Sequence, residues 1–454
     1  MSDIAGSLAC PRCDKTPLAE GASGLRCGGC KTEFPLVGGI PWLFADPDAS
    51  LGEWRNRMHF SLQKLGHESK RIRTELAAED LPPLTRKRLE RQVESIDEHR
   101  GALRKILEPL DIQSFSANLE SHLALRTRLP VDQGIHTYYP NIHRDWCWGD
   151  VENEASLGEV GALCKSDKKA ARPGETLILG AGACRLAYDV HMQLGAQATI
   201  AMDFNPLLLL VAKRVMHGEE LELHEFPLAP KSLEDFAVRR KLSAPEPVRE
   251  GFSFVFGDVL RPPFASERFD TVITPWLIDI VNESLPAQAA RINRLLKPDG
   301  KWINFGSLAF EHVRHARRYS AEEVLEIVAE AGFARPQTRE SAIPYMCSPA
   351  SRHGRQETVF SFATAKTGDV AAPPRHRALP DWIVTGKEPV PLLNSFQSQA
   401  ATTRIYSYIM SLIDGRRTIA DMAGVLEQQQ LMTRREAEPA IRTFLARMYD
   451  DAQR

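Results

Sequence analysis

The sequence predicts an α/β protein: a Rossmann-like, mostly parallel, doubly wound sheet carrying a small cysteine module and helical additions. Three observations predict it. Short β-rich runs alternate with helical stretches between about 131 and 366, the order that yields a parallel sheet covered on both faces. Runs such as Thr176-Leu177-Ile178-Leu179 are apolar without alternation, as a strand buried on both sides requires. One of these runs passes directly into Gly180-Ala181-Gly182 and then into a helical stretch.

The predicted strands in order are TLILGAG, ATIAMDF, FSFVFGD, FDTVITPW, KWINFGS and ETVFSFATA. The helices between them are RLAYDVHMQLG, PLLLLVAKRVMHG, LPAQAARINRLL and SAEEVLEIVAEAG. A polar insert at about 219–250 interrupts the alternation and reads as a lid or a long surface excursion. Residues 49–130 carry charged and Leu/Ile residues at helical spacing, broken at Leu81-Pro82-Pro83. Residues 1–48 read as a separate module, 131–366 as the α/β domain, 367–380 as a linker and 381–454 as a helical module.

The chain of 454 residues has room for two to four domains, and its 43% hydrophobic content can bury a core without disulfides. Lys and Arg number 57 against 59 Asp and Glu. That balance argues against a generic nucleic-acid binder, which needs a basic excess. The start lacks a charged region leading into an apolar run, and no stretch of about 18 apolar residues exists. A cytoplasmic location without membrane contact is therefore expected, with reduced cysteines.

Cys10-x-x-Cys13 and Cys27-x-x-Cys30 are two knuckles separated by thirteen residues. Two such pairs can close a four-thiolate tetrahedral site, and soft thiolates select Zn²⁺. A closed site leaves no position for catalysis, so the ion is expected to be structural. Residues 1–48 hold four Lys/Arg against six Asp/Glu, which speaks against phosphate contact. The segment from Phe34 to Pro41 resembles the Trm112-like zinc ribbons. That resemblance implies a partner-binding or stabilising role.

In the α/β domain, the glycine turn lets a ligand approach the backbone, and the helix after it favours an anionic group. Asp203 ends the second strand, twenty-one residues after Gly182, where a carboxylate can accept both ribose hydroxyls. A dinucleotide fingerprint wants a third glycine where this chain has Arg185. Asp258 ends the third strand, where an acid suits an adenine amino group. These features favour S-adenosylmethionine over a dinucleotide. Gly180, Gly182, Arg185, Asp203, Asp258, Val259 and Pro275 are the candidate cofactor residues here. Asp203 and Asp258 could instead simply cap the loops that follow them.

The phrase Leu295-Leu296-Lys297-Pro298-Asp299-Gly300 resembles the turn into the fifth strand of class I methyltransferases. Over about 136–366 the chain resembles the carnosine N-methyltransferase, or N2227-like, family. The phrases that carry this are Arg144-Asp145-Trp146, Gly180 to Ala187, Phe269 to Asp279 and Leu296 to Gly306. The resemblance implies that Arg144 and Asn141 help bind the cofactor, Asn141 standing for a family glutamine. A guanidinium at Arg144 can pair with the methionine carboxylate. The resemblance also implies that Asp279 holds the acceptor. Glu311 aligns with a family histidine, with His312 one residue later, and Tyr345 matches a family tyrosine. A second tyrosine is lost around His353–Arg355, so carnosine itself is not the expected acceptor.

The expected activity is methyl transfer to nitrogen of a small molecule or peptide, with Asp279, His312, Glu311 and Tyr345 as the candidate catalytic group. The region after Ile405 resembles the helical, winged-helix-like modules of PqqD-type proteins, with Thr418 as a helix cap. The ribbon and this module are the candidate surfaces for a protein partner. Competing readings are an RNA methyltransferase that uses the ribbon as a finger, a non-catalytic scaffold, and a nucleotide-dependent oxidoreductase.

Overall fold

The computed structural model describes residues 4–373 and 389–453 except 5, 22–23, 78–79, 113–134, 166–171 and 313. The end of the expected 49–130 region, the first residues of the 131–366 domain and the second half of the 367–380 linker lie outside the described residues. The chain divides into two units, Met1–Ala378 and Leu379–Arg454.

The first unit opens with four short strands, β1 (Leu18–Glu20), β2 (Gly24–Cys27), β3 (Glu33–Val37) and β4 (Ile40–Leu43). Two helices follow, α1 (Pro47–Leu76) and α2 (Pro83–Ile106), separated at the Leu81-Pro82-Pro83 break. Pro47 and Pro83 sit in the first turns, where a missing N–H costs nothing. Then come α3 (Ile135–His143), a single π-turn (Arg144–Trp148) and α4 (Asp150–Lys165). The alternating core is β5 (Glu175–Leu179), α5 (Arg185–Gln193), β6 (Ala198–Asp203), α6 (Pro206–Met216), β9 (Phe252–Gly257), β10 (Phe269–Pro275), α7 (Leu285–Leu295), β11 (Leu296–Phe305), α8 (Ala321–Glu330), β12 (Gln337–Tyr345) and β13 (Arg355–Ala365). The 219–250 insert is a hairpin of β7 (Leu221–Glu225) and β8 (Val238–Leu242). It packs against α2, where the Arg88 guanidinium lies over the Phe236 ring at 4.8 Å.

One sheet of eleven strands unites these elements in the order β1-β2-β3-β4-β9-β6-β5-β10-β11-β13-β12. Strands β9, β6, β5, β10 and β11 run parallel, and β13 is antiparallel to both β11 and β12. The order reverses between β5 and β10. Ligands sit at the C-terminal ends of strands flanking such a reversal.

The cysteine module is continuous with this sheet. Trp42 and Leu43 of β4 pair in parallel with Phe256 and Gly257 of β9. Ala9 N–H donates to Pro263 O at 2.9 Å and Ala265 N–H to Ser7 O at 2.9 Å. Leu8, Cys10, Cys27, Phe34 and Leu43 share one apolar core with Leu177, Ile200 and Val255 of the parallel strands. The boundary near 48 thus separates β4 from α1 without interrupting the sheet. The module covers the edge of β9, which would otherwise present unpaired backbone groups.

The second unit holds α9 (Asn394–Ser411), α10 (Ile419–Gln428) and α11 (Arg434–Gln453) around Ile409, Leu412, Met422, Leu426 and Ile441. Thr418 caps α10 in a capping box with Asp421. Its described residues contain no strand that could serve as a wing. Among the described residues, no helix is long and apolar enough to cross a membrane.

Trp42 is fully buried at the β4–β9 junction, 5.1 Å from the Phe256 ring. Trp42→Ala should destabilise the whole first unit by about 3–5 kcal/mol, read as a shift of the main denaturant transition. An unmoved main transition with a separate early one would show that the ribbon folds by itself.

Candidate active site

The two knuckles are near-copies of each other. Asp14 and Lys31 follow them with left-handed backbone, φ 63° and 62°, and donate N–H to Cys10 O and Cys27 O. Arg12 N–H reaches Cys10 Sγ at 3.4 Å and Gly29 N–H reaches Cys27 Sγ at 3.3 Å. These bonds suit thiolate sulfurs. The four Sγ atoms lie within 4.8 Å of one another, with Cys10 to Cys30 at 3.6 Å and Cys13 to Cys27 at 3.5 Å. A tetrahedral zinc with Zn–S of about 2.3 Å places its sulfurs roughly 3.8 Å apart, so the cluster fits that ion.

The second site is a cavity of about 300 Å³ at the C-terminal ends of β5, β6 and β10. Its floor is the glycine turn. Gly180 and Gly182 have φ of 70° and 59°, a conformation that costs other residues about 1–2 kcal/mol. A Cβ at Gly180 would stand 2.8 Å from Leu277 Cδ1, whereas one at Gly182 would meet nothing within 4 Å. Gly182 N–H donates to Asp203 Oδ2 at 2.8 Å, and Asn205 N–H donates to Oδ1 at 2.8 Å. Asp203 therefore fixes the turn that it faces. Burial pushes its carboxyl up to about 6, although the Asn205 and Gly182 N–H bonds oppose this.

Arg144 enters from the π-turn, a feature frequent at functional positions. Its Nε donates to Asp145 Oδ1 at 2.7 Å and its Nη1 to Glu152 Oε1 at 2.9 Å. Burial disfavours its charge, but Asp145 and then Glu152 outweigh that and hold it protonated. A guanidinium has five N–H groups, so Arg144 retains three for another acceptor. Asp145 is itself a fastener: Oδ2 accepts Arg185 N–H at 3.3 Å, at the start of α5. Trp146 Nε1 donates to Ala183 O at 2.8 Å. The Arg-Asp-Trp phrase thus places Arg144 and Asp145 on the cavity and ties Asp145 and Trp146 to the glycine turn.

The opposite wall comes from the loops after β10, β11 and β12. Asp279 Oδ2 accepts Ser307 Oγ–H at 2.8 Å and Ala309 N–H at 3.0 Å, while its buried Oδ1 has no hydrogen-bond partner among the described residues. Burial raises the Asp279 carboxyl above its usual range. The Trp276 ring lies 4.8 Å from Tyr345 and 5.6 Å from Phe305. Cys184, Trp276 and Met346, all non-glycine, adopt φ of 70°, 49° and 54° around this site. Strain of that kind collects at ligand sites.

Of the sequence-derived candidates, Asn141, Arg144, Gly180, Gly182, Asp203, Pro275, Asp279 and Tyr345 line this cavity together. Arg185 does not line it. Its Nη1 donates to Asp145 O at 2.9 Å and its Nε to Asp189 at 3.0 Å. Asp258 and Val259 also lie outside the lining; Asp258 Oδ1 accepts Leu260 N–H at 2.9 Å, a loop-capping bond. Glu311 is exposed and outside it as well. His312 pairs through Nε2 with Asn282 Oδ1 at 2.9 Å and accepts Arg314 N–H on Nδ1 at 2.9 Å. The lining adds Glu152, Asn205, Trp276, Ser307 and Arg355. No local pattern marks Glu152 or Arg355, since an acid in a first helical turn and an arginine starting a strand are ordinary surface choices.

The model of the family described as carnosine N-methyltransferase matches residues 132–366. No curated protein matches. Among solved structures, a methyltransferase from Thermotoga maritima described as a "possible histamine N-methyltransferase" shares 14% identity, covering 51% of this chain and 96% of its own, with a TM-score of 0.31. The N-methyltransferase NodS from Bradyrhizobium japonicum shares 11%, covering 49% and 99%, with a TM-score of 0.32. Phosphoethanolamine N-methyltransferase 2 from Haemonchus contortus, in complex with S-adenosylmethionine, shares 15%, covering 47% and 53%, with a TM-score of 0.30.

Asp145, 2% exposed, accepts from Arg144 and Arg185 at once. Asp145→Asn turns an amide N–H toward one of these donors and should cost about 3–5 kcal/mol, measured by urea denaturation. A loss under 1 kcal/mol would show that the π-turn stays docked without it.

Proposed function

The chain belongs to the carnosine N-methyltransferase family and is an S-adenosylmethionine-dependent methyltransferase; from that premise we propose that it methylates a nitrogen of a small-molecule or peptide acceptor, held by Asp279 opposite the glycine turn. The observation that carries this reading is the buried Asp279 Oδ1, without a hydrogen-bond partner among the described residues, in the same cavity as Gly180, Gly182 and Asp203. A buried carboxylate oxygen without a partner is costly unless a ligand satisfies it, and an acceptor N–H is the complementary donor.

S-adenosylmethionine, when bound, supplies an electrophilic methyl group on a sulfonium. The chain's own residues then have separate tasks. Asp203 offers its remaining lone pairs to the ribose hydroxyls. Arg144 offers its free N–H groups to the amino-acid carboxylate. Asp279 accepts an N–H of the acceptor and so directs the nitrogen lone pair, an orienting task worth several kcal/mol. Ser307 Oγ and Ala309 N–H keep its carboxylate in place. Trp276, Phe305 and Tyr345 wall off water. His312 and Glu311 lie farther out, and a role for either in receiving the released proton goes through solvent. The acidic ribbon supports a small acceptor over RNA. The four thiolates hold a zinc whose task is structural, bracing the ribbon against β9.

Asp279→Asn should leave S-adenosylhomocysteine affinity unchanged in calorimetry. It should lower transfer of labelled methyl groups to a fractionated cell extract on the order of 10²–10⁴-fold. Weakened cofactor binding with intact turnover would remove Asp279 from the acceptor role. Because burial raises Asp203 to about 6, its carboxylate is half-ionised near that pH, nearly complete a unit above it and progressively lost below it. Affinity for S-adenosylhomocysteine should therefore be flat above about pH 7 and fall about tenfold per unit below 6. In Asp203→Asn that dependence should vanish.

A further inference from the structure

Glu152 is a buried carboxylate on the cavity wall that takes none of the tasks assigned above to Asp203, Arg144 and Asp279. It sits in the first turn of α4 and is 5% exposed. Its two oxygens serve different parts of the cavity. Oε1 accepts Arg144 Nη1 at 2.9 Å, at the end assigned to the cofactor. Oε2 accepts Met346 N–H at 2.7 Å, at the end assigned to the acceptor, although 194 residues separate the two in the chain. Met346 has left-handed backbone, φ 54°, a conformation a side-chain-bearing residue keeps only when held there. The residue before it, Tyr345, packs on Trp276 at 4.8 Å and carries the Arg355 guanidinium over its ring at 4.5 Å. The helix behind Glu152 is anchored at two further points: Glu159 pairs with Arg339 of β12 at 2.9 Å, and Cys164 O accepts Lys301 Nζ at 3.3 Å. Glu152 is therefore a rigidly mounted bridge between two walls of one cavity.

We propose that Glu152 is a positioning residue that couples cofactor binding to the order of the Tyr345–Met346 wall, so that cofactor entry prepares the acceptor site. The proposal rests on the reading of Arg144 as a cofactor ligand. Drawing Arg144 onto a bound carboxylate fixes its guanidinium, which fixes Glu152, which holds Met346 N–H and keeps Tyr345 against Trp276. A carboxylate can accept at both ends, whereas a Gln side chain has one accepting oxygen and one donating amide. Glu152→Gln therefore keeps at most one of the two bonds. Coupling between two ligand sites is reciprocal and typically worth 5–150-fold in affinity.

The Met346 amide is itself the reporter, because its proton is held by Glu152. In the full-length, zinc-loaded wild type, saturating S-adenosylhomocysteine should slow hydrogen exchange at Met346 on the order of tenfold. In Glu152→Gln, the same saturation, verified by calorimetry, should leave that amide unchanged while the glycine turn is still protected. A merely structural role for Glu152 would change exchange with and without ligand alike. Equal slowing in Glu152→Gln overturns the proposal. So does a wild-type Met346 amide indifferent to bound ligand, a measurement that needs no variant. Absence of any calorimetric heat in the wild type overturns the cofactor assignment itself, and the coupling with it.

Discussion

The site depends on how a left-handed turn is held open. Gly180, Gly182 and Cys184 alternate through left-handed backbone between β5 and α5, and nothing in local propensity keeps five residues in that shape. Five tertiary bonds do so. Gly180 N–H and Ala181 N–H both donate to Met202 O. Gly182 N–H is held by Asp203, Arg185 N–H by Asp145, and Ala183 O by Trp146. The sheet order brings the second strand's terminal carboxylate beside the first strand's turn, and the π-turn brings the Asp-Trp pair onto the other side. On our reading the same Asp203 that stabilises the turn also faces the ligand. Structural and binding roles thus fall on one buried carboxylate.

The ribbon extends this logic to the far edge of the sheet. Phe256 pairs on one side with Asp203 of β6 and on the other with Trp42 of β4. The loop after β9 is gripped by the first knuckle, with Arg261 Nη2 donating to Arg12 O at 3.1 Å. A cluster of four thiolates so small in a segment so short cannot fold on hydrophobic burial alone. It gains a core by sharing that of the parallel strands. In return it closes an edge that would otherwise be available for unwanted pairing.

Local pattern made much of this readable. Strand–helix alternation, the Pro break between α1 and α2, the knuckle spacing and the Gly180–Gly182 turn are all signals carried within about ten residues. Arg144 and Asp279 were readable through phrases shared with a family. What escaped depends on long-range placement. Glu152 meets Met346 only because α4 lies beside β12, and Arg355 reaches the cavity only because β13 returns antiparallel. The Arg185 position was read from a glycine fingerprint, yet its side chain serves α5 and Asp145 from behind. Asp258 lies one residue past the end of β9, and the following turn claims one of its oxygens. The polar insert is a hairpin against α2, and Tyr139 of α3 joins the two: its OH donates to His224 O at 2.8 Å and lies 3.3 Å from His99 Nδ1 of α2.

The most direct measurement is a crystal structure of the protein soaked with S-adenosylhomocysteine. Electron density is expected across the glycine turn, with the ribose against Asp203, the carboxylate end toward Arg144 and the sulfur open toward Asp279. Density placed instead in a cavity at the N-terminal ends of β5, β6, β9 and β10, beside Lys213 and Arg268, would contradict this.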